Sequence, residues 1–184
     1  MPRAIWTFVP VLGAALAHAP VLRFDLLKPL KRPLDGGRTL DGKRLLGDNK
    51  TWRGALVMFA GVEAAALLLH RSAAYRERLP REIARAGPAR VGALLGLATV
   101  AGELPNSFAK RRLGVKPGAR RGGPAGVALA IVDQADFVLA AWPLLAPVHR
   151  MSAREAATVF ATVAAVHVPI NLVGYAVGAR ETPI

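Results

Sequence analysis

The reading of this sequence turns on Pro124 to Val148, PAGVALAIVDQADFVLAAWPLLAPV, an apolar run interrupted by two acids, Asp133 and Asp136. About 20 predominantly apolar residues suffice to cross the hydrocarbon core of a bilayer. Carboxylates at that depth are costly, so they either face a cavity and carry function or pair with a cation from a neighbouring helix. Their i, i+3 spacing puts both on one helix face, with Cβ atoms about 5–6 Å apart. In a helix that starts at Pro124, Asp133 stands roughly 13 Å along the axis, near the bilayer midplane. Two oxygen ligands with room for waters and phosphates suit Mg²⁺. Metal or substrate binding is therefore the stronger reading of this pair, and a helix-to-helix ion pair the weaker one.

Four more apolar stretches surround this one. Ala4 to Leu22 and Ala156 to Ala179 contain no Asp, Glu, Lys or Arg. Gly54 to His70 carries one acid, Glu63, and a run from near Ala89 to Leu104 has Glu103 near its end. The pattern predicts an all-α polytopic membrane protein of about five transmembrane helices, with residues 1–184 forming a single membrane-embedded domain. Ala17-His18-Ala19 has the small-x-small pattern of a signal cleavage site, but Pro20 follows and the apolar run is long for a signal peptide. The first stretch is read as a retained helix. Glu63, in mid-span, is expected to meet a basic group or face a cavity.

Composition agrees. Hydrophobic residues make up 53% of the 184, and the mean hydropathy is +0.32. Small residues are abundant and aromatics scarce, as in closely packed membrane helices. The absence of cysteine excludes disulfides, thiolate metal sites and cysteine nucleophiles. A net charge of +13 in a soluble protein would point to nucleic acid. Here the basic residues cluster between the apolar runs, which suits anionic headgroups or anionic substrates and argues against nucleic-acid binding.

The connecting segments set the orientation. Residues 23–53 hold nine Lys/Arg and residues 106–123 hold six. With five spans these two polar loops fall on one side, which the positive-inside tendency makes the cytoplasm. The loop at 71–88 dissents, with five arginines on the other side.

Two polar blocks carry further chemistry. Gly102-Glu103-Leu104-Pro105-Asn106-Ser107-Phe108-Ala109-Lys110-Arg111-Arg112 contains a proline that should kink or end its helix. One helical turn presents Ser107, Lys110 and Arg111 together, a hydroxyl and two cations suited to phosphate. Alone, Lys-Arg-Arg after a span reads equally as an interfacial anchor. The first loop contains Leu34-Asp35-Gly36-Gly37-Arg38, Asp41-Gly42-Lys43-Arg44 and Gly47-Asp48-Asn49-Lys50-Thr51-Trp52-Arg53-Gly54. Its Asp-Gly and Gly-Gly pairs mark tight turns that bring backbone N–H groups toward a ligand. Asn49 suits the polar edges of a base or sugar, and Lys50 suits phosphate. No Walker-type glycine-lysine spacing is present, so by spacing alone the nucleotide signal is weak.

Taken together, Asp35-Gly36-Gly37, the block Gly47 to Gly54, the block Gly102 to Arg111 and Asp133-Gln134-Ala135-Asp136 resemble the CDP-archaeol synthase family, relatives of the CDP-diacylglycerol synthases. The resemblance rests on four separated blocks in the same order. It implies a CTP-dependent membrane nucleotidyltransferase with a cytoplasm-facing cleft, which joins CTP to a lipid phosphate and yields a CDP-lipid (CDP-archaeol or CDP-diacylglycerol type) and pyrophosphate. It implies Mg²⁺ as cofactor, held by Asp133 and Asp136, with Lys110 and Arg111 as catalytic cations on phosphate. It assigns Ser107 to phosphate contact, and Asp35, Asn49, Lys50 and Thr51 to nucleotide binding. The rival reading, a transporter or channel with an intramembrane acidic site, predicts inverted repeats and paired broken helices. No such symmetry is visible in the sequence.

Overall fold

The computed structural model describes residues 3–116, 119 and 122–176. Two helices, α1 (Ala4–Thr7) and α2 (Leu12–Arg23), are joined by a 3₁₀ turn at Val9–Val11, where Pro10 supplies no backbone donor. Together they make one apolar rod of 20 residues. After the first loop come α3 (Trp52–Leu69), the short α4 (Ala73–Arg78) and α5 (Arg81–Ala86), then α6 (Pro88–Arg112), α7 (Gly123–Leu145) and α8 (Ala153–Ala176).

The helices pack through small residues. A Cβ on Gly13 would lie 2.2 Å from the Gly61 carbonyl oxygen, and one on Gly61 would lie 2.4 Å from that of Gly13. This reciprocal pair lets the backbones of α2 and α3 touch, as membrane helices do at small-residue contacts. On α6, Gly92 faces Glu63 and Ala66 of α3, Gly96 faces the Phe59 ring, and Gly102 faces the backbone of α7 at Asp136 and Phe137. The centre of the bundle is therefore α6, with α3 on one flank and α7 on the other. Val62, Leu95, Ala98, Val138, Ala141 and Val159 form the buried core. Many large apolar side chains point outward instead, among them Leu16 (76% exposed) and Val173 (62%). Such an inside-out surface suits contact with lipid tails.

Among the described residues, three helical segments are long and apolar enough to cross a membrane, and a fourth if the bent α7 counts as one span. The remaining long helix, α6, has 25 residues but carries polar groups along its C-terminal half. Its central packing explains how such a helix sits among apolar neighbours. Pro105 lies inside α6 and does not end it. The flanking α3 and α7 hold the helix in place where one backbone hydrogen bond is missing.

The elements converge at two ends. At one end, residues 24–51 fold over the C-terminus of α6. A hairpin of β1 (Thr39–Leu40) and β2 (Lys43–Arg44) turns at Asp41-Gly42, both with positive φ, and hangs on Arg112. That side chain donates to the Leu40 (2.6 Å), Lys43 (2.9 Å) and Arg44 (2.8 Å) carbonyls. At the other end, α4 and α5 bury Tyr75, Leu79 and Ile83 against the N-terminal turn and the α7–α8 turn. There the Tyr75 hydroxyl donates to the Trp6 carbonyl (2.9 Å), and His149 Nδ1 lies 3.5 Å from Glu82.

Candidate functional site

One face of α6 carries Glu103, Asn106, Ser107, Lys110 and Arg111, because steps of three and four residues return to the same side of a helix. Opposite it, α7 changes direction by 54° between its segments Gly126–Asp133 and Asp136–Leu145. The bend falls on the acid pair. Gly102 is what allows it so close: a Cβ there would meet the Phe137 Cα at 2.6 Å and the Asp136 carbonyl oxygen at 2.8 Å. The Asn106 amide donates to Asp133 Oδ1 (2.6 Å), and the Lys110 ammonium pairs with Asp133 Oδ2. Asp136 is buried, within electrostatic reach of Glu103, Lys50 and Asp133. The side chains of Gln134 and Ala135, between the acids, lie outside the described residues.

The first loop reaches this cluster through Lys50, which pairs with Glu103 across 53 positions of sequence. Its two strands of entry and exit are zipped: the Leu34 N–H donates to the Lys50 carbonyl (2.7 Å) and the Trp52 N–H to the Arg32 carbonyl (3.0 Å). Thr51 caps α3, its hydroxyl accepting from the Gly54 N–H (3.2 Å). Asn49 is exposed at the loop surface. Arg53, at the start of α3, is buried on Asp25 (2.6 Å) and the Leu26 carbonyl (3.0 Å).

Asp35 stands apart from the acid pair. Its carboxylate accepts from the backbone N–H groups of Gly37 (3.0 Å), Leu46 (3.0 Å) and Gly47 (3.2 Å), and from the Arg44 guanidinium (2.7 Å). Burial by itself would raise this carboxyl, but the four donors outweigh burial and hold it well below the usual carboxylate range. Its chemistry is that of a knot at the centre of the loop. A pocket of about 520 Å³ opens beside it, lined by Leu34, Gly36, Arg38, Leu45, Leu46 and Phe108.

Two orphaned groups mark where a ligand fits. Arg111 is 7% exposed, and its Nε and Nη1 donors have no hydrogen-bond partner among the described residues. More than a turn earlier on α6, Asn106 Oδ1 is likewise unpartnered among the described residues. Buried guanidinium donors left unpaired are expensive, so an anion belongs there. Among the described residues no three acids or histidines come close enough to hold a metal by themselves. Mg²⁺ keeps several waters and takes phosphate oxygens from its substrate, so the two aspartates fit it as a shared site. Sequence reasoning passed over three participants: Glu103, Asn106 and Arg112. Both were legible from helix spacing, Glu103 four residues before Ser107 and Asn106 four before Lys110. The role of Arg112 had no sequence signal, because only the loop's path reveals it.

A family model described as CarS-like CDP-archaeol synthase matches residues 5–184. The chain belongs to the CDP-archaeol synthase family. A CDP-archaeol synthase of Halobacterium salinarum is 38% identical over 98% of this chain and 94% of its own length. One of Methanosarcina acetivorans is 34% identical, over 83% of this chain and 90% of that protein. A solved structure described as an intramembrane enzyme for archaeal membrane lipids biosynthesis superposes with a TM-score of 0.64 at 33% identity, covering 91% of this chain and 92% of that one. As a CDP-archaeol synthase family member, the chain is a multi-pass membrane enzyme.

Proposed function

We propose that the chain transfers the cytidylyl group of CTP to a membrane lipid phosphate, forming a CDP-activated lipid of the archaeol type and releasing pyrophosphate at the cytoplasmic face. A lipid-phosphate oxygen forms the new bond to the α-phosphorus, and the bond from that phosphorus to the β-phosphate oxygen breaks. The nucleophile is already anionic, so no strong general base is needed, and positioning with charge neutralisation carries the rate. Mg²⁺, held by Asp133 and Asp136, supplies charge neutralisation on the phosphates when bound. Arg111, Lys110 and Ser107 bind phosphate oxygens. Lys50, Asn49 and Thr51 form the nucleotide-facing rim, and Asp35 fixes the loop that carries them. A lipid chain has a place beside the acids: an apolar cavity of about 250 Å³ between α1–α2 and α8 runs up to Phe137.

The observation that carries this reading is Arg111, a buried side chain whose Nε and Nη1 donors have no partner among the described residues, next on α6 to the Lys110 that pairs with Asp133. The test is pyrophosphate release by the purified protein with CTP, Mg²⁺ and either phosphatidic acid or an archaeal-type ether-lipid phosphate. CTP-specific release, faster with the ether lipid and lost in Asp133→Asn and Asp136→Asn, supports it. A folded protein that binds CTP but releases nothing with either lipid removes the substrate assignment. One that binds neither CTP nor Mg²⁺ removes the reaction.

A further inference from the structure

We infer that the end of the molecule opposite the site is a docking surface for anionic lipid headgroups of the leaflet on that side. The chain has six lysines, at positions 28, 31, 43, 50, 110 and 116, and every one lies at the end that holds the site. At the opposite end the basic side chains are all arginine. The 71–88 loop has five of them against Glu77 and Glu82, and the start of α8 adds Arg150 and Arg154 against Glu155.

The fold turns this loop into a plate. Ser72 caps α4, accepting from the Tyr75 N–H (3.4 Å), and Tyr75, Leu79 and Ile83 are buried beneath. The intervening Arg71, Arg76, Arg81 and Arg85 are exposed. Arg78 lies 4.4 Å over the Trp6 ring, and the His149–Glu82 contact joins the plate to the α7–α8 turn. The acids at this end are too few to neutralise it: Glu155 accepts from the Ser152 N–H (2.9 Å) and hydroxyl (2.8 Å), Glu82 lies 3.5 Å from His149, and Glu77 is exposed among five arginines. Among the described residues none of the 71–88 arginines is ion-paired.

Depth and chemistry identify the partner. Trp6, Tyr75 and Trp142 cluster at this end, and Trp142 donates to the Met151 carbonyl (3.0 Å). Such amphipathic aromatics mark headgroup level, so the plate lies on the bilayer surface. A guanidinium presents a planar fork that matches two phosphate oxygens and is weakly hydrated, which fits a phosphate-bearing headgroup better than an ammonium does. The positive-inside tendency leaves an exception here, and anionic headgroups resolve it by balancing the charge in place.

The full-length protein is reconstituted in nanodiscs of neutral lipid and titrated with a short-chain anionic phospholipid, with thermal midpoint and native-mass-spectrometric retention as readouts. The wild type gains stability and retains the anionic lipid, and high salt removes both effects. Arg76→Gln/Arg81→Gln/Arg85→Gln weakens retention by about tenfold or more, whereas Lys28→Gln/Lys31→Gln at the other end leaves it unchanged. If the arginine variant fails to fold, the wild-type salt dependence and protection of these arginines from a guanidinium-modifying reagent by anionic but not neutral discs decide the matter. Equal retention by the arginine variant, equal protection in neutral discs, or stabilisation by free inorganic phosphate as strong as by the lipid each overturns the inference.

Discussion

Adjacent cations at the end of α6 have opposite jobs, and their substitutions should separate. Arg111 is buried, and its Nε and Nη1 donors have no partner among the described residues, which costs stability. Arg111→Met is expected to raise the thermal stability of the nucleotide-free protein by about 1–2 kcal/mol, as replacing buried charge by apolar volume often does, and to abolish pyrophosphate release. A melting curve beside an activity assay checks both. Asp35 behaves in the reverse sense. Its folded-state pKa lies below the unfolded value of about 3.9, so its stabilisation is complete above that value and is lost as pH falls through the folded pKa. The loop should therefore hold its shape through mildly acid pH. Asp35→Asn leaves Arg44 without its inner partner and should open residues 35–47 by about 1–3 kcal/mol at neutral pH, read as faster amide exchange there and not in α3.

At the level of elements, the site depends on how near α7 comes to α6. Gly102 sets that distance against the backbone of Asp136 and Phe137, which cannot step aside as a flexible side chain would. Gly102→Ala is expected to lower pyrophosphate release roughly 100-fold by shifting the acid pair, since displacements near 1 Å suffice for such losses. Gly96→Ala meets first the Phe59 side chain, away from the acid pair, and should cost far less activity. A comparison of rates at equal folded fraction distinguishes the two. The bend in α7 belongs to the same scale. Its 54° change of direction falls between Asp133 and Asp136.

For the molecule as a whole, the question is whether α7 crosses the membrane or turns back at its bend. The cysteine-free chain is a ready background for single-cysteine labelling. Cysteines at Asp41 and Ser72 should react from opposite sides. A cysteine at Arg150 should react from the side of Ser72 if α7 crosses, as the His149–Glu82 contact requires, and from the side of Asp41 if α7 is re-entrant. Among the described residues length and apolarity alone give three spans, or four with the bent α7, and they pass over α6, whose polar C-terminal half is packed between α3 and α7.

The sequence by itself determined the membrane class, the two basic loops on one side, the i, i+3 acids and the grouping of Ser107, Lys110 and Arg111. These are local quantities: runs of apolar residues, charge between them, and the period of a helix. Tertiary structure alone decided the rest. It joined Lys50 to Glu103 and Asn106 and Lys110 to Asp133, pairs 53, 27 and 23 positions apart. It also buried Arg111 and sent Arg112 onto the loop. Neighbouring residues on a helix point about 100° apart, and only the packing of α3, α7 and the first loop around α6 determines what each direction meets.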